Sequence, residues 1–388
     1  MGTILSPIPL YKWDEVCYAR YYSYRMDSMS FMNRYVPYRF RGMALLLVCM
    51  ILLPAIISCA ALGTVRAPTA TPTASITPTS TPTATPTFTP TATERPVLCG
   101  GPPVMFILLI GSDARRDSYA IGLADSIRLV RVDFVEPSIQ LLAFQRDLYV
   151  EIPGIESHNG ITHGKLNQAF LYGNPGYGYF DDPRLGPGLL ALTLEHNFGA
   201  HVDHYAAVNL QAFVRIVDAL DGIDIQLPYE VDGRVKGSKD PNLYFPAGDL
   251  HLSGYRTMLL ARMRPQGDFT RSEVQNLILQ ALAEEVLSPG VITKLPELVE
   301  ALYGSAQTDL GGAEASQLLC LAAMLEPHKI EFLSFPETLF KSERVQDPVL
   351  GNTSILAANF DVLKTYVQIF MDGTWPEAEE NLRDPIDP

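Results

Sequence analysis

Apolar and polar positions alternate along this chain in a way that predicts a layered α/β domain. The run FILLI at 106–110 is unbroken and apolar, as in a central strand covered on both faces. Two more strands are predicted at 126–132 and 139–144, the last rich in Leu and Phe. Helical spacing follows at 186–198, where Leu189, Leu190 and Leu194 share one side. A strand is expected at 204–210. Then Leu210, Phe213, Val217 and Leu220 recur at helical spacing, Asp221-Gly222 makes a turn, and Ile223, Ile225 and Leu227 alternate as a strand. Residues 229–252 read as a loop or hairpin, and 255–263 as a short helix or strand. A helix is expected from Ser272, with Val274, Leu277, Ile278, Ala281 and Leu282 on one face. Further on, Leu318, Leu321, Ala322 and Leu325 predict a helix carrying Cys320, and 330–335 a strand. The pattern Leu356, Phe360, Leu363, Val367, Phe370 predicts a last helix. Strands alternating with helices, with no internal repeat and no second core, argue for a single domain over 99–373.

The first 98 residues follow other rules. Residues 1–42 have no clear period, and Met26, Met29 and Met32 are alternative starts. The apolar run at 43–63 is long enough to span a bilayer. Arg34, Arg39 and Arg41 precede it, which keeps the N-terminus inside and sends the rest out. Ile56-Ile57-Ser58-Cys59 also looks like a lipoprotein processing box, so the segment is a transmembrane anchor or, as the second reading, a lipoprotein signal. Residues 64–98 are a Thr/Pro-rich linker, too poor in large apolar groups to build a core and stiffened to about 3 Å per residue by proline. Residues 374–388 form an acidic tail.

Charge narrows the function. The formal net charge is −14 and the pI about 4.9, which argues against general nucleic-acid binding but leaves room for a local cluster of arginines. Of five cysteines, only Cys99 and Cys320 fall in the folded part. Outside the cytoplasm they could pair; two buried thiols are the other reading. The histidines at 158–204 show no zinc spacing, and Ser112 lacks a nucleophile elbow.

The candidate chemistry sits at strand ends. Asp113 and Arg115 follow the first strand, Asp125 precedes the second, and Arg146-Asp147 follow the third. Arg262, Arg264 and Arg271 come later, and Arg262 and Arg264 would point the same way from a strand. Ionised groups beside a dry sheet need partners. Guanidinium groups fork onto phosphate oxygens, and paired carboxylates suit Mg²⁺. Pairing of each arginine with a nearby carboxylate, such as Asp147 or Asp268, is the structural alternative.

The motifs GSDAR (111–115), ADSI (124–127), FQRDLYVEIPG (144–154), KLNQAF (165–170) and HYAAVNLQAFVRIVDALDGIDIQLP (204–228) resemble, in order, those of the LytR–CpsA–Psr (LCP) family of cell-envelope proteins. The resemblance implies an LCP-type layered domain, a central mixed β-sheet flanked by helices, behind an N-terminal membrane anchor. It implies Mg²⁺ at Asp113 and Asp125. It implies a polyprenyl-pyrophosphate head group held by Arg115, Arg146, Lys165, Arg262, Arg264, Arg271 and Gln275, with Asp268 orienting arginines or helping the acceptor hydroxyl lose a proton. Asp113, Asp125, Arg146, Arg262 and Asp268 are then the catalytic set. Val274 and Gln145 depart from the family pattern, which has a second arginine and a proline there.

The implied activity is Mg²⁺-dependent phosphotransfer of a glycopolymer from its polyprenyl-pyrophosphate carrier to a cell-wall acceptor polymer, in an extracytoplasmic domain on the cell membrane, with the tail in an apolar tunnel between sheet and helices. Hydrolysis of the same pyrophosphate, or non-catalytic binding of anionic glycolipid or wall polymer, are the rival readings.

Overall fold

The computed structural model describes residues 95–115, 117–234, 239–263, 268–288 and 290–375. The anchor segment 43–63, most of the Thr/Pro linker and nearly all of the acidic tail lie outside the described residues. Among the described residues, no helix is long and apolar enough to cross a membrane.

The strands are β1 (Val104–Ser112), β2 (Ala124–Asp133), β3 (Ser138–Phe144), β4 (Tyr149–Glu151), β5 (His163–Lys165), β6 (His204–Asn209), β7 (Ile223–Leu227), β8 (Val231–Asp232), β9 (Tyr244–Phe245), β10 (Gly248–Leu252), β11 (Ala306–Thr308), β12 (Ile330–Ser334), β13 (Phe340–Asp347) and β14 (Gly351–Ala358). The helices are α1 (Leu166–Gly173), α2 (Leu185–Phe198), α3 (Leu210–Ala219), α4 (Gly254–Arg262), α5 (Asp268–Leu287), α6 (Val291–Leu302), α7 (Gly312–Ala322) and α8 (Phe360–Met371).

A six-stranded sheet in the order β11-β6-β1-β2-β3-β12 forms the centre. It is mixed: β1–β2, β2–β3 and β6–β11 are antiparallel, while β1–β6 and β3–β12 are parallel. Both faces are covered, so β1 to β3 read as nearly continuous apolar runs. On one face Leu108, Ile110, Leu129, Leu142 and Phe144 pack against Phe170 of α1, Leu190 and Leu194 of α2 and Phe370 of α8. On the other, Ile107, Val130, Val132 and Leu141 pack against Leu321 of α7. A separate core joins Val217 of α3, Ile225 of β7, Leu260 of α4, and Val274 and Ile278 of α5.

The sequence expectation of an α/β domain with a central mixed sheet flanked by helices agrees with this architecture. Three local expectations need correction. The helix expected from Ser272 starts at Asp268, so Arg271 lies in its first turn. Residues 254–262 are helical, so the strand alternation that paired Arg262 with Arg264 does not apply. Leu356 belongs to β14, and the last helix begins at Phe360 behind an Asn359 cap whose side chain accepts from the Asp361 N–H. Of the two readings of the cysteines, the bonded one holds: Cys99 and Cys320 form a disulfide tying the start of the domain to α7.

Candidate functional site

A β-bulge builds the first part of the site. Gly111 of β1 pairs with Ser126, but Ser112 pairs with Ala124, so Asp125 is the extra residue on β2. Such a bulge breaks the ladder locally and re-aims a side chain. The following loop returns on itself: the Asp113 N–H donates to the Leu123 carbonyl (3.1 Å), and the Leu123 N–H donates to Asp113 Oδ1 (2.6 Å). Gly122 closes against Ala114 so tightly that a Cβ there would lie 2.7 Å from the Ala114 Cβ.

Burial pushes the Asp113 carboxyl above its ordinary range. The Leu123 N–H pulls it back, Asp125 raises it, and Arg262 and Arg115 lower it. Asp113 therefore feels the charges of Asp125, Arg262 and Arg115 together. Arg262 is exposed in the last turn of α4, and Arg115 is exposed in the loop.

β3 delivers the second part. Its end runs into Gln145 and Arg146, and the next turn is held by the Leu148 N–H on the Gln145 carbonyl and the Asn167 N–H on the Arg146 carbonyl. The Arg146 guanidinium pairs with Asp125 through Nη1 and with Asp147 through Nε (3.3 Å). Lys165, just before α1, reaches the other oxygen of Asp147 (Nζ to Oδ1, 2.8 Å). From α5, Arg271 Nη2 lies 3.4 Å from Asp125 Oδ2 and donates to the Asp125 carbonyl at 3.2 Å. Arg271 is buried, its side chain only 6% exposed. Gln275, one turn further, donates to the Ala261 carbonyl (3.2 Å) and so joins α5 to the last turn of α4.

Asp125, Arg146, Arg271, Ser272 and Gln275 line a pocket of about 300 Å³ including its open mouth. Its wall continues along Ile127, Arg128, Ala143 and Phe144 of the sheet. The structure thus brings Asp125, Arg146, Arg271 and Gln275 to one cavity, with Lys165 joined through Asp147. Asp113, Arg115 and Arg262 are not part of that lining, but Asp113 feels the charges of Asp125, Arg262 and Arg115. Arg264 and the side chain of Asp268 lie outside the described residues.

Two carboxylates of hard oxygen donors fit a Mg²⁺ that keeps water and phosphate oxygens as its remaining ligands. Among the described residues no group of three or more His, Cys, Asp or Glu side chains could hold a metal alone. Two nearby carboxylates, one of them (Asp113) held above its ordinary range first by burial and further by Asp125, are the observation that fits a cation here.

The pocket also contains a residue that sequence reasoning passed over. Arg128 sits in the middle of β2, where charge was sought only at strand tips. A charged letter inside a strand predicted to be buried was the available signal.

The LytR_cpsA_psr family model matches residues 102–365. The chain belongs to this family. Among curated relatives, "Regulatory protein MsrR" of Staphylococcus aureus (strain COL) is 29% identical over 208 residues, 53% of this chain and 56% of that protein. "Polyisoprenyl-teichoic acid--peptidoglycan teichoic acid transferase TagV" of Bacillus subtilis (strain 168) is 26% identical over 231 residues, 59% of this chain and 55% of TagV. The chain thus spans a little over half the length of the curated relatives it matches. Among solved structures, B. subtilis TagV superposes with a TM-score of 0.53 at 24% identity, covering 69% of this chain and 97% of that one. Protein gbs0355 of Streptococcus agalactiae gives 0.55 at 20% identity, covering 69% and 88%. These two likenesses establish the LCP fold.

Proposed function

We propose that this LCP protein transfers a glycopolymer from a polyprenyl-pyrophosphate carrier to a cell-wall acceptor, outside the cytoplasm. The observation that carries the reading is the meeting of Arg146 and Arg271 on one carboxylate at the mouth of a pocket, in a family whose relative TagV bears a teichoic acid transferase name. Two guanidiniums from different elements suit a pyrophosphate better than they suit one aspartate. The Cys99–Cys320 disulfide supports an oxidising compartment, and the apolar run at 43–63 supports attachment to the membrane, as a single-pass or lipid-anchored protein.

In this reading Arg146 and Arg271 exchange part of their contact with Asp125 for phosphate oxygens. Lys165 holds Asp147, and Asp147 holds Arg146 at its Nε, so the guanidinium is oriented before the ligand arrives. Arg115 and Arg262, both exposed, would meet the sugar-phosphate part of the ligand. Gln275 fixes α5 to α4 and borders the pocket. Asp113 and Asp125 would hold Mg²⁺, which when bound neutralises pyrophosphate oxygens. An acceptor hydroxyl oxygen forms a bond to the phosphorus bearing the glycan. The bond from that phosphorus to the lipid phosphate breaks, and polyprenyl monophosphate leaves with the electron pair. The hydroxyl proton goes to a base, a role the family resemblance gives to Asp268. The prenyl tail would need an apolar path between the sheet and its covering helices.

The test incubates the full chain with a short-chain polyprenyl pyrophosphate and Mg²⁺, with and without EDTA. Wild type should bind it and release lipid monophosphate when a wall-sugar acceptor is added. Arg146→Ala should lose about 100- to 1000-fold in turnover, the scale of removing one preorganised charge donor. Release with water alone at the same rate would mean a pyrophosphatase. Folded wild type that neither binds nor turns over the lipid would leave a surface-binding module as the better reading.

A further inference from the structure

Arg128 lies three residues beyond Asp125 on β2 and is only 1% exposed. Its strand neighbours are Leu109 and Ala143, whose side chains offer no hydrogen-bond acceptor. Its Nε and Nη1 are enclosed, with no hydrogen-bond partner among the described residues. A buried guanidinium that the fold needs is normally surrounded by acceptors, because an unpaired charge in an apolar interior is costly. Arg128 nevertheless lines the same cavity as Arg146 and Arg271, and it is the most deeply buried of the three. Burial pushes its pKa down to about 10, which leaves the group protonated at neutral pH.

We propose that Arg128 is the innermost anion ligand of the pocket, its guanidinium taking an oxygen of the phosphate seated deepest, behind Arg146 and Arg271. The proposal rests on the pocket being a pyrophosphate site as argued above. The unmet hydrogen-bonding capacity is what an entering phosphate would satisfy. Asp125 lies between Arg146 and Arg271, so an entering anion finds two partly neutralised cations and, at the more buried Arg128, one with no carboxylate against it among the described residues. That gradient draws the charged head group inward. It would also favour a ligand with two phosphates over one with a single phosphate, because one end can reach Arg128 while the other stays with Arg146. Arg128 is thus assigned as a binding residue that sets the depth of the head group.

The experiment measures the affinity of the full chain, in Mg²⁺ buffer, for inorganic pyrophosphate and for geranyl pyrophosphate by calorimetry. It compares wild type, Arg128→Met, Arg128→Lys and Arg146→Ala, with melting temperatures of the ligand-free proteins alongside. Methionine fills a similar volume without the charge. Arg128→Met should bind both probes about 10- to 100-fold more weakly, the range for one charge-assisted hydrogen-bonding group. It should also melt higher than wild type without ligand, because the unpaired buried charge has gone. Arg128→Lys should recover part of the affinity. Affinity of Arg128→Met equal to wild type, with Arg146→Ala impaired, would overturn this proposal and leave the pyrophosphate site standing. Lower melting temperatures in both Arg128 variants, with equal losses of affinity, would make Arg128 a structural residue and also overturn it. Wild type that binds neither probe would instead remove the pyrophosphate reading itself.

Discussion

Arg128 and Arg131 lie three residues apart on β2, and both are buried, yet they stand in opposite situations. Arg131 is 8% exposed and fully engaged: its Nη2 pairs with Asp133 (3.0 Å) and its Nε donates to the Met371 carbonyl at the end of α8 (3.2 Å). Gly373 packs directly on the guanidinium, where a Cβ would come within 2.7 Å of it. Arg128 projects from the other face of the strand and has no such partners among the described residues. One end of β2 uses a buried charge to close the C-terminal helix onto the sheet. The other end keeps a buried charge available at a pocket. A strand interior therefore tolerates arginine for two reasons, and the reason is read from the partners, not from the burial.

The sharpest test of that contrast is the sign of two stability changes. Arg131→Met removes a partnered charge and leaves the half-buried Asp133 with only the Val135 and Glu136 N–H groups as partners among the described residues. It should cost about 3–5 kcal/mol, the scale for breaking a buried pair, and should leave pyrophosphate affinity unchanged. Denaturant titration and calorimetry on the same variant check both halves. Arg128→Met should move the other way, gaining stability while losing affinity. If both variants are destabilised to the same degree, the contrast fails.

The disulfide extends the structural side of the comparison. Cys99 and Cys320 are 221 residues apart in sequence, so the bond restricts a long loop in the unfolded chain. Replacing both by Ser should cost about 2–4 kcal/mol, visible as a lower denaturant midpoint, with head-group binding retained. A loss of binding in this variant would mean that the site depends on the α7 side of the sheet more closely than the packing indicates.

Much of the fold was legible because burial repeats along the chain. β1, β2 and β3 occupy the apolar runs expected of them, and α3 and β7 follow the switch in period at Asp221-Gly222. The hairpin β13–β14 was not legible. FKSERVQD carries mostly exposed polar side chains, and Leu356 stands four residues before Phe360 by coincidence, mimicking a helix face. At the site, Asp125, Arg146, Arg271 and Gln275 were singled out by motif, and the fold brings them to one pocket. The bulge that turns Asp125 inward left no trace in the pattern, because it depends on a pairing with β1. Arg128 escaped for a related reason: a run read as buried strand directs attention to its ends, although a charge within it is the greater departure from what burial allows.

The smallest expected effect concerns the loop after β1, and its direction follows from Asp113. Burial, reinforced by Asp125, raises this carboxyl above the ordinary value of 3.8. A carboxyl that holds its proton more tightly when folded makes its ionised form unfavourable to folding at neutral pH. That cost disappears as pH falls from above the raised value to below 3.8, where both states are protonated. Asp113→Asn carries no charge at any pH, and its amide oxygen can still accept from the Leu123 N–H. In EDTA at pH 7 the variant should therefore melt at or slightly above wild type. On acidification to pH 4 the difference should shrink, with wild type gaining relative to the variant. Mg²⁺ at pH 7 should raise the melting temperature of wild type and have little effect on Asp113→Asn. A melting difference that stays constant from pH 7 to pH 4 would mean that the Asp113 charge costs the fold nothing, and the case for a cation at Asp113 would lose this support.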